Sequence, residues 1–260
     1  MSEVPDPFLL LDEMGPVDWG PHKAIGAPGH PHRGFETVTY LLQGHMQHRD
    51  SAGNAGELNP GDVQWMTAGS GIIHSELPHP DFLASGGTSH GFQIWVNLPT
   101  QHKMMAPRYQ DIPKSDIPIG QSDDGLTWVK VVAGQSLGVR AVIDTVQPVY
   151  YLHFKMEPGA QHRQSIPQNF NGLVYCFAGS LWAGEKHTVI KNGSVGLLSA
   201  GAELDLGIDD AAEENVEFLL LAGEPTNEPI ARWGPFVMNT QEQIVQAVED
   251  YQNGTLVQHA

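Results

Sequence analysis

Cysteine is almost missing from this chain: Cys176 is the one thiol among 260 residues. That excludes an internal disulfide and any centre built from several thiolates, such as an iron–sulfur cluster or a Cys-rich zinc site, and a reducing compartment suits it best. Basic residues are scarce too. Lys and Arg number 13 against 30 Asp and Glu, a formal charge of -17, and a chain of that sign is repelled by phosphate backbones and anionic lipid surfaces. Neither direct nucleic-acid binding nor membrane attachment is expected. Long apolar runs are also lacking. The start, Met1-Ser2-Glu3-Val4-Pro5-Asp6-Pro7, has no basic stretch, and the run Phe8 to Leu11 is too short for a signal peptide or a membrane span. The expectation is a soluble cytoplasmic protein.

Glycine and proline, by contrast, are plentiful at 29 and 19 residues. They punctuate short apolar stretches in the manner of an all-β chain with many tight turns. Strands are expected at Glu36 to Leu42, Asp62 to Met66, Gly91 to Asn97, Thr127 to Val132, Val149 to Phe154, Leu173 to Ala178, Val195 to Leu198 and Val216 to Leu221. Between Pro99 and Gly125 the pattern loosens, and the proline-rich stretch Pro107 to Pro118 marks an interdomain crossing, dividing the chain into residues 1–112 and 113–260. Turn signals such as Pro60-Gly61-Asp62 and Pro158-Gly159-Ala160 recur loosely in the two halves, which suggests a duplicated β-barrel. The tail reads as a helix. Thr240 and Gln243 form a capping box, Ile244, Val248 and Tyr251 make a stripe at helical spacing, and Gly254 supplies the stop.

Two short pairs stand out in this background, His30-Pro31-His32 and His74-Ser75-Glu76. Alternate residues of a strand point to one face, so each pair places two ligand groups on one wall. If the walls meet, three imidazoles and a carboxylate converge on one cation. Such a set leaves coordination positions open for water, oxygen or a chelating substrate. It suits iron(II), manganese, nickel, copper or zinc, and ligand type alone does not choose among them. Solvated histidines near turns are the plainer reading of any one of these residues, but a weaker reading of two pairs at strand spacing. Glu76 is also the candidate catalytic base, since a carboxylate beside open metal positions could take the proton of a bound phenol or enol. Its other role is to balance the cation's charge.

Glu36 shares strand parity with His30 and His32 and is expected to orient an imidazole from behind, with pairing to Arg33 or a backbone amide as the alternative. Gln93, on the strand Gly91 to Asn97, is placed to face the cavity or to satisfy a backbone group. Trp65, Met66 and Phe92 either wall a flat substrate or fill the barrel core, and core is the plainer fit. The remaining histidines, His22, His45, His48, His79, His90, His102, His153, His162, His187 and His259, form no further His-x-His pair. They are expected at surfaces and turns, and the second half is expected to bind no metal.

The stretches Asp6 to Asp12, His30 to Val38, Pro60 to Gly69, Gly71 to Glu76, Trp95 to Pro99, Leu221 to Pro225 and Gly234 to Thr240 resemble the pirin family of the cupin superfamily. The resemblance covers nearly the whole chain. It implies a bicupin: two antiparallel jelly-roll β-barrels face to face, with iron in the N-terminal barrel, no metal in the C-terminal barrel, and a short C-terminal helix. Carried over residue by residue, the family's iron ligands fall on His30, His32, His74 and Glu76. Fe(II) is therefore the preferred cofactor, with manganese, nickel, copper, cobalt and zinc left open. Pirins are similar to quercetin 2,3-dioxygenases, which implies cleavage of a flavonol such as quercetin by O2 with release of carbon monoxide. The alternative is a non-catalytic, redox-sensitive iron protein that grips a protein partner, steered by the acidic surface. One departure from the family stands out. Ser70 occupies a place where many relatives carry Arg, which is expected to remove a positive charge from the rim of the metal site.

Overall fold

The computed structural model describes residues 4–257, so Met1 to Glu3 and His259, read above, lie outside the described residues. Two units are distinguished: Phe8–Lys114 with the chain from Thr226 onward, and Pro5–Pro7 with Ser115–Pro225. Both are built from strands, as the Gly- and Pro-punctuated pattern requires.

The first unit is a jelly-roll sandwich of β1 (Phe8–Trp19), β2 (Ala27–His32), β3 (Phe35–Gln43), β4 (Met46–Asp50), β5 (Ala55–Leu58), β6 (Val63–Thr67), β7 (Ile72–Pro78), β8 (Gly87–Asn97) and β9 (Arg108–Ile112), with a short helix α1 (Pro80–Ser85) before β8. One antiparallel sheet runs β1-β8-β3-β6-β9, the other β2-β7-β4-β5. These two hydrogen-bonded sheets are joined by side chains in the jelly-roll arrangement expected. Phe35, Val38, Trp65, Phe92, Ile94 and Val96 form the packed interior of the first sheet, and burying each contributes on the order of 1.5–3 kcal/mol.

The second unit comprises β10 (Ile119–Gln121), β11 (Thr127–Ala133), β12 (Gln135–Ser136), β13 (Val139–Arg140), β14 (Val149–Met156), β15 (Gln161–Ser165), β16 (Asn171–Ala178), β17 (Ser180–Ala183), β18 (Thr188–Lys191), β19 (Ser194–Leu197), β20 (Glu203–Gly207) and β21 (Val216–Gly223). Its sheets run β10-β11-β14-β21-β16-β19 and β15-β20-β17-β18, with β12-β13 a small hairpin. The interior is apolar throughout: Val129, Val131, Leu152, Phe154, Val174, Cys176, Phe218 and Leu220 form one cluster. Within it the Phe154 and Phe218 rings stack 5.0 Å apart.

After Thr226 come β22 (Ala231–Trp233), β23 (Phe236–Met238) and α2 (Gln241–Gln252). Thr240 caps the helix through the Gln243 amide while the Gln243 side chain returns to Thr240, so both halves of the capping box form. The helix groups with the first unit, whereas the division at 112/113 read from the sequence placed it in the second domain. Ile244 and Ala247 bury against Phe236, Met238 and Leu256, with Ile73 of β7 packed alongside, and that apolar contact draws the helix into the first unit. Tyr251, expected in the buried stripe, is 40% exposed. Among the described residues, no helix is long and apolar enough to cross a membrane.

Candidate metal centre

The centre begins with strand register. β2 pairs with β7 so that His30 lies opposite His74 and His32 opposite Ile72. The alternation that puts His30 and His32 on one face therefore brings them onto the face that carries His74. Ring centroids are 4.7 Å apart for His30 and His32, 4.5 Å for His30 and His74, and 5.0 Å for His32 and His74. One nitrogen from each ring lies within 4.8 Å of the other two.

The ring nitrogens are available as ligands. His30 Nδ1 lies 2.8 Å from Pro28 O; a carbonyl only accepts, so Nδ1 carries the proton and Nε2 of the neutral ring presents its lone pair. Burial, and then the neighbouring charges of His74 and His30, hold His32 well below the ordinary imidazole value. Burial also pulls His74 down to about 4, against the opposing influence of Glu76. Both rings are thus neutral at pH 7, the form that binds a cation. Neither nitrogen of His74 has a hydrogen-bond partner, and those of His32 make no bond of good geometry, with only the Pro235 backbone close by. A buried polar atom left in that state costs about 1–3 kcal/mol, and a cation accepting one lone pair from each ring would recover it. The residues present fit a bound divalent metal.

Glu76 follows His74 on β7, with Oε2 3.9 Å from His74 Nε2. It stands at the edge of the imidazole cluster, not among its three converging atoms. Two groups from the opposite sheet orient it: Thr39 Oγ1 donates to Oε1 at 2.9 Å and Gln93 Nε2 to Oε2 at 3.1 Å. Trp95 Nε1 in turn donates to Gln93 Oε1 at 3.2 Å. Gln93 thus faces inward. Thr39 was missed in the sequence, though its place two residues from Thr37 and Leu41, within the buried part of β3, was the available signal.

Glu36 has a different fate from the one its spacing suggested. The chain turns at Gly34, whose φ is +90° and where a Cβ would run into Val237 O, so Glu36 belongs to β3 and the parity counted from His32 is broken. Its Oε1 accepts from Thr67 Oγ1 at 2.7 Å. Arg33 turns the other way, donating through Nε to Ser70 O at 2.6 Å and pairing through Nη1 with Asp250 of α2 at 2.7 Å. Ser70 is itself buried and does not line the cavity. The expectation of a lost charge at the rim is therefore not met.

The cavity in front of the cluster has a volume of about 550 Å3 and reaches His30, His32 and Glu76. Its apolar walls are Met14, Val17, Trp19, Ile25, Phe82 and Trp95. Trp65, Met66 and Phe92 are in the core, at no more than 1% exposure, and not in this wall. Several lone histidines also differ from the surface places expected. His48 is buried with Nε2 3.4 Å from Asp111 Oδ2, and His153 is buried with Nε2 3.2 Å from Glu217 Oε2. His45 and His79 come together on Glu57.

Two jelly-roll sandwiches in one chain, the first lined by histidines at the end of a cavity, define a bicupin. Comparison with known families agrees. Residues 1–96 match the Pirin family and residues 151–257 the Pirin C-terminal cupin domain. A pirin-like protein of Solanum lycopersicum is 43% identical over 249 residues, covering 96% of this chain and 81% of its own length. Pirin of Homo sapiens is 43% identical over 251 residues, with 95% and 82% covered. A crystal structure of quercetin 2,3-dioxygenase from Acinetobacter baumannii superposes with a TM-score of 0.91 at 38% identity, covering 98% of this chain and 88% of that one. The chain belongs to the pirin family.

Proposed function

We propose that this protein is a metal-dependent dioxygenase of the quercetinase type, which opens the ring of a flavonol such as quercetin with O2 and releases carbon monoxide. The carrying observation is the apolar cavity of about 550 Å3 that ends on His30, His32 and the oriented Glu76 carboxylate, with the His74 imidazole converging on the two histidines from behind. That volume and polarity suit a flat aromatic ligand with a few polar groups at one end. The similarity to the Acinetobacter baumannii enzyme supports the same reading.

His30, His32 and His74 hold the metal, Fe(II) by preference, and Glu76 completes the set at its edge. The bound ion supplies Lewis acidity and the redox partnership with O2 that a flavonol and a side chain cannot provide. Glu76 takes the proton of the flavonol hydroxyl. Thr39 and Gln93 hold its two oxygens at fixed orientation while that happens. Trp95 and Trp19 line the cavity and offer the ring apolar surface. Carbon monoxide release balances the reaction: both oxygen atoms of O2 enter the ring-opened ester, and the hydroxyl-bearing carbon between the two sites of attack leaves with its own oxygen as carbon monoxide.

Oxygen uptake by iron-loaded protein on addition of quercetin, with carbon monoxide measured in the headspace, tests this. Uptake with an equal amount of carbon monoxide, lost in His32→Ala and strongly reduced in Glu76→Gln, is the expected result. If the iron-loaded protein leaves quercetin and O2 unconsumed, and Glu76→Gln behaves identically, the proposal fails.

A further inference from the structure

The mouth of the same cavity carries a second side-chain cluster with no part in the chemistry above. His45 lies in the turn between β3 and β4, Glu57 on β5, and His79 between β7 and α1. The amide of His79 donates to His45 O at 2.9 Å, fastening the two connections to each other. Their imidazoles stack 3.8 Å apart and 17° from parallel. Both rings direct Nε2 at one carboxylate: His45 lies 3.3 Å from Glu57 Oε2 and His79 3.4 Å from Glu57 Oε1. One ligand atom from each of the three residues lies within 4.8 Å of the other two.

Those separations are long for a charge-assisted hydrogen bond, which closes to about 2.7–2.9 Å. They are close to the roughly 3.4 Å between donors set about 2.0–2.1 Å from a zinc ion, and since the rings reach different oxygens of Glu57, a shared ion is reached by small rotations of the stacked rings and the carboxylate toward one point. We propose that His45, Glu57 and His79 form a second cation site, for a zinc-class divalent ion, at the mouth of the cavity. Two imidazoles and a carboxylate are borderline donors of the kind zinc takes, and the 57% exposure of the Glu57 side chain leaves the fourth position to water. Asp81 stands behind His79, its amide 3.3 Å and its Oδ2 3.7 Å from Nδ1. Here the Asp81 amide donates to Nδ1; with Nε2 given to the ion, Nδ1 takes up the proton and that bond is exchanged for one to the Asp81 carboxylate, as outer carboxylates do for metal-bound histidines. The ion joins the β3–β4 turn, β5 and the start of α1. Because His45 and Phe82 of α1 both line the cavity, occupancy would fix the width of its mouth. The site draws on none of the residues of the His30 cluster and does not depend on the proposed reaction.

Zinc titrated into the metal-free full-length chain, followed by calorimetry and by elemental analysis after dialysis, provides the test. The expected result is one zinc per chain that is retained in His32→Ala and lost in Glu57→Gln and His79→Ala. Its affinity in those two variants should fall by more than about 100-fold, beyond the loss of an outer partner. Glu57→Gln preserves size at an exposed position and so reports even if His79→Ala unseats α1. Zinc binding unchanged in Glu57→Gln, or disappearance of every bound zinc in His32→Ala, overturns the proposal. Scoring by dependence on Glu57 keeps the result separate from whatever the His30 cluster binds.

Discussion

The two sandwiches of this chain share an architecture and differ in what faces inward. Between the sheets of the first lie His30, His32, His74 and Glu76, with Thr39 and Gln93 holding the carboxylate. In the second, the corresponding space holds Val129, Leu152, Phe154, Val174, Phe218 and Leu220. Both clusters of converging metal-ligating side chains found among the described residues fall in the first unit. The jelly roll is therefore a frame that tolerates either filling. Apolar filling stabilises the frame by removing surface from water, whereas polar filling costs stability until a ligand satisfies it.

The sharpest way to break this contrast is to remove one imidazole. His32→Ala should abolish quercetin-dependent oxygen uptake while far-ultraviolet circular dichroism stays that of the parent. The mirror experiment is Phe154→Ala in the second unit, which should cost about 3–5 kcal/mol, read as an earlier denaturant transition, with metal content of the His30 cluster unchanged. Acid should tell the two interiors apart in the metal-free protein. The folded value of about 4 for His74 lies below the ordinary 6.5. The unfolded chain therefore takes up the proton first, and this stability is present above about pH 6.5 and is lost as pH falls towards 4. Urea midpoints measured across that window should drop, and His74→Gln should flatten the drop. A smaller effect is expected at the tail. Asp250→Ala strands the buried Arg33 guanidinium and should cost about 1.5–3 kcal/mol. Arg33 also holds the Asp250 carboxyl below its usual range, so in the parent this pair outlasts ordinary carboxylates as pH falls. Thr240→Ala, which removes only a helix cap, should cost about 1 kcal/mol by thermal unfolding.

Much of this was legible in the sequence because strands impose a period of two. His-x-His and His-x-Glu needed only that period and a register to become a cluster, and β2 and β7 supplied the register. The same period misplaced Glu36, since Gly34 interrupts the strand with a left-handed turn that the count from His32 could not see. The walls of the cavity were misassigned for a related reason. Trp65 and Phe92 advertise a core, while Met14, Val17 and Trp19 of the wall come from β1, a strand interrupted by Gly15-Pro16 and studded with Asp12, Glu13 and Asp18. His45 and His79 escaped notice because 34 residues separate them and it is the pairing of β4 with β7, with Met46 opposite Pro78 and the His79 amide bonded to His45 O, that brings them together. The tail helix was plain from its capping box. Its partner was not, because an apolar stripe says that a helix packs without saying on what.

Lys103 gives that tail a further meaning. Its buried Nζ donates to Gly34 O at 2.8 Å, to Asn97 Oδ1 at 2.8 Å and to Val237 O at 3.0 Å, while Val237 N donates back to Arg33 O. The turn that follows His32 is thus fastened by residues translated some two hundred positions later. On the ribosome the histidine-bearing sandwich emerges first and is finished last, after the whole of the apolar sandwich has been made. A gene cut after the first nine strands would encode the imidazoles without the clasp that closes their turn.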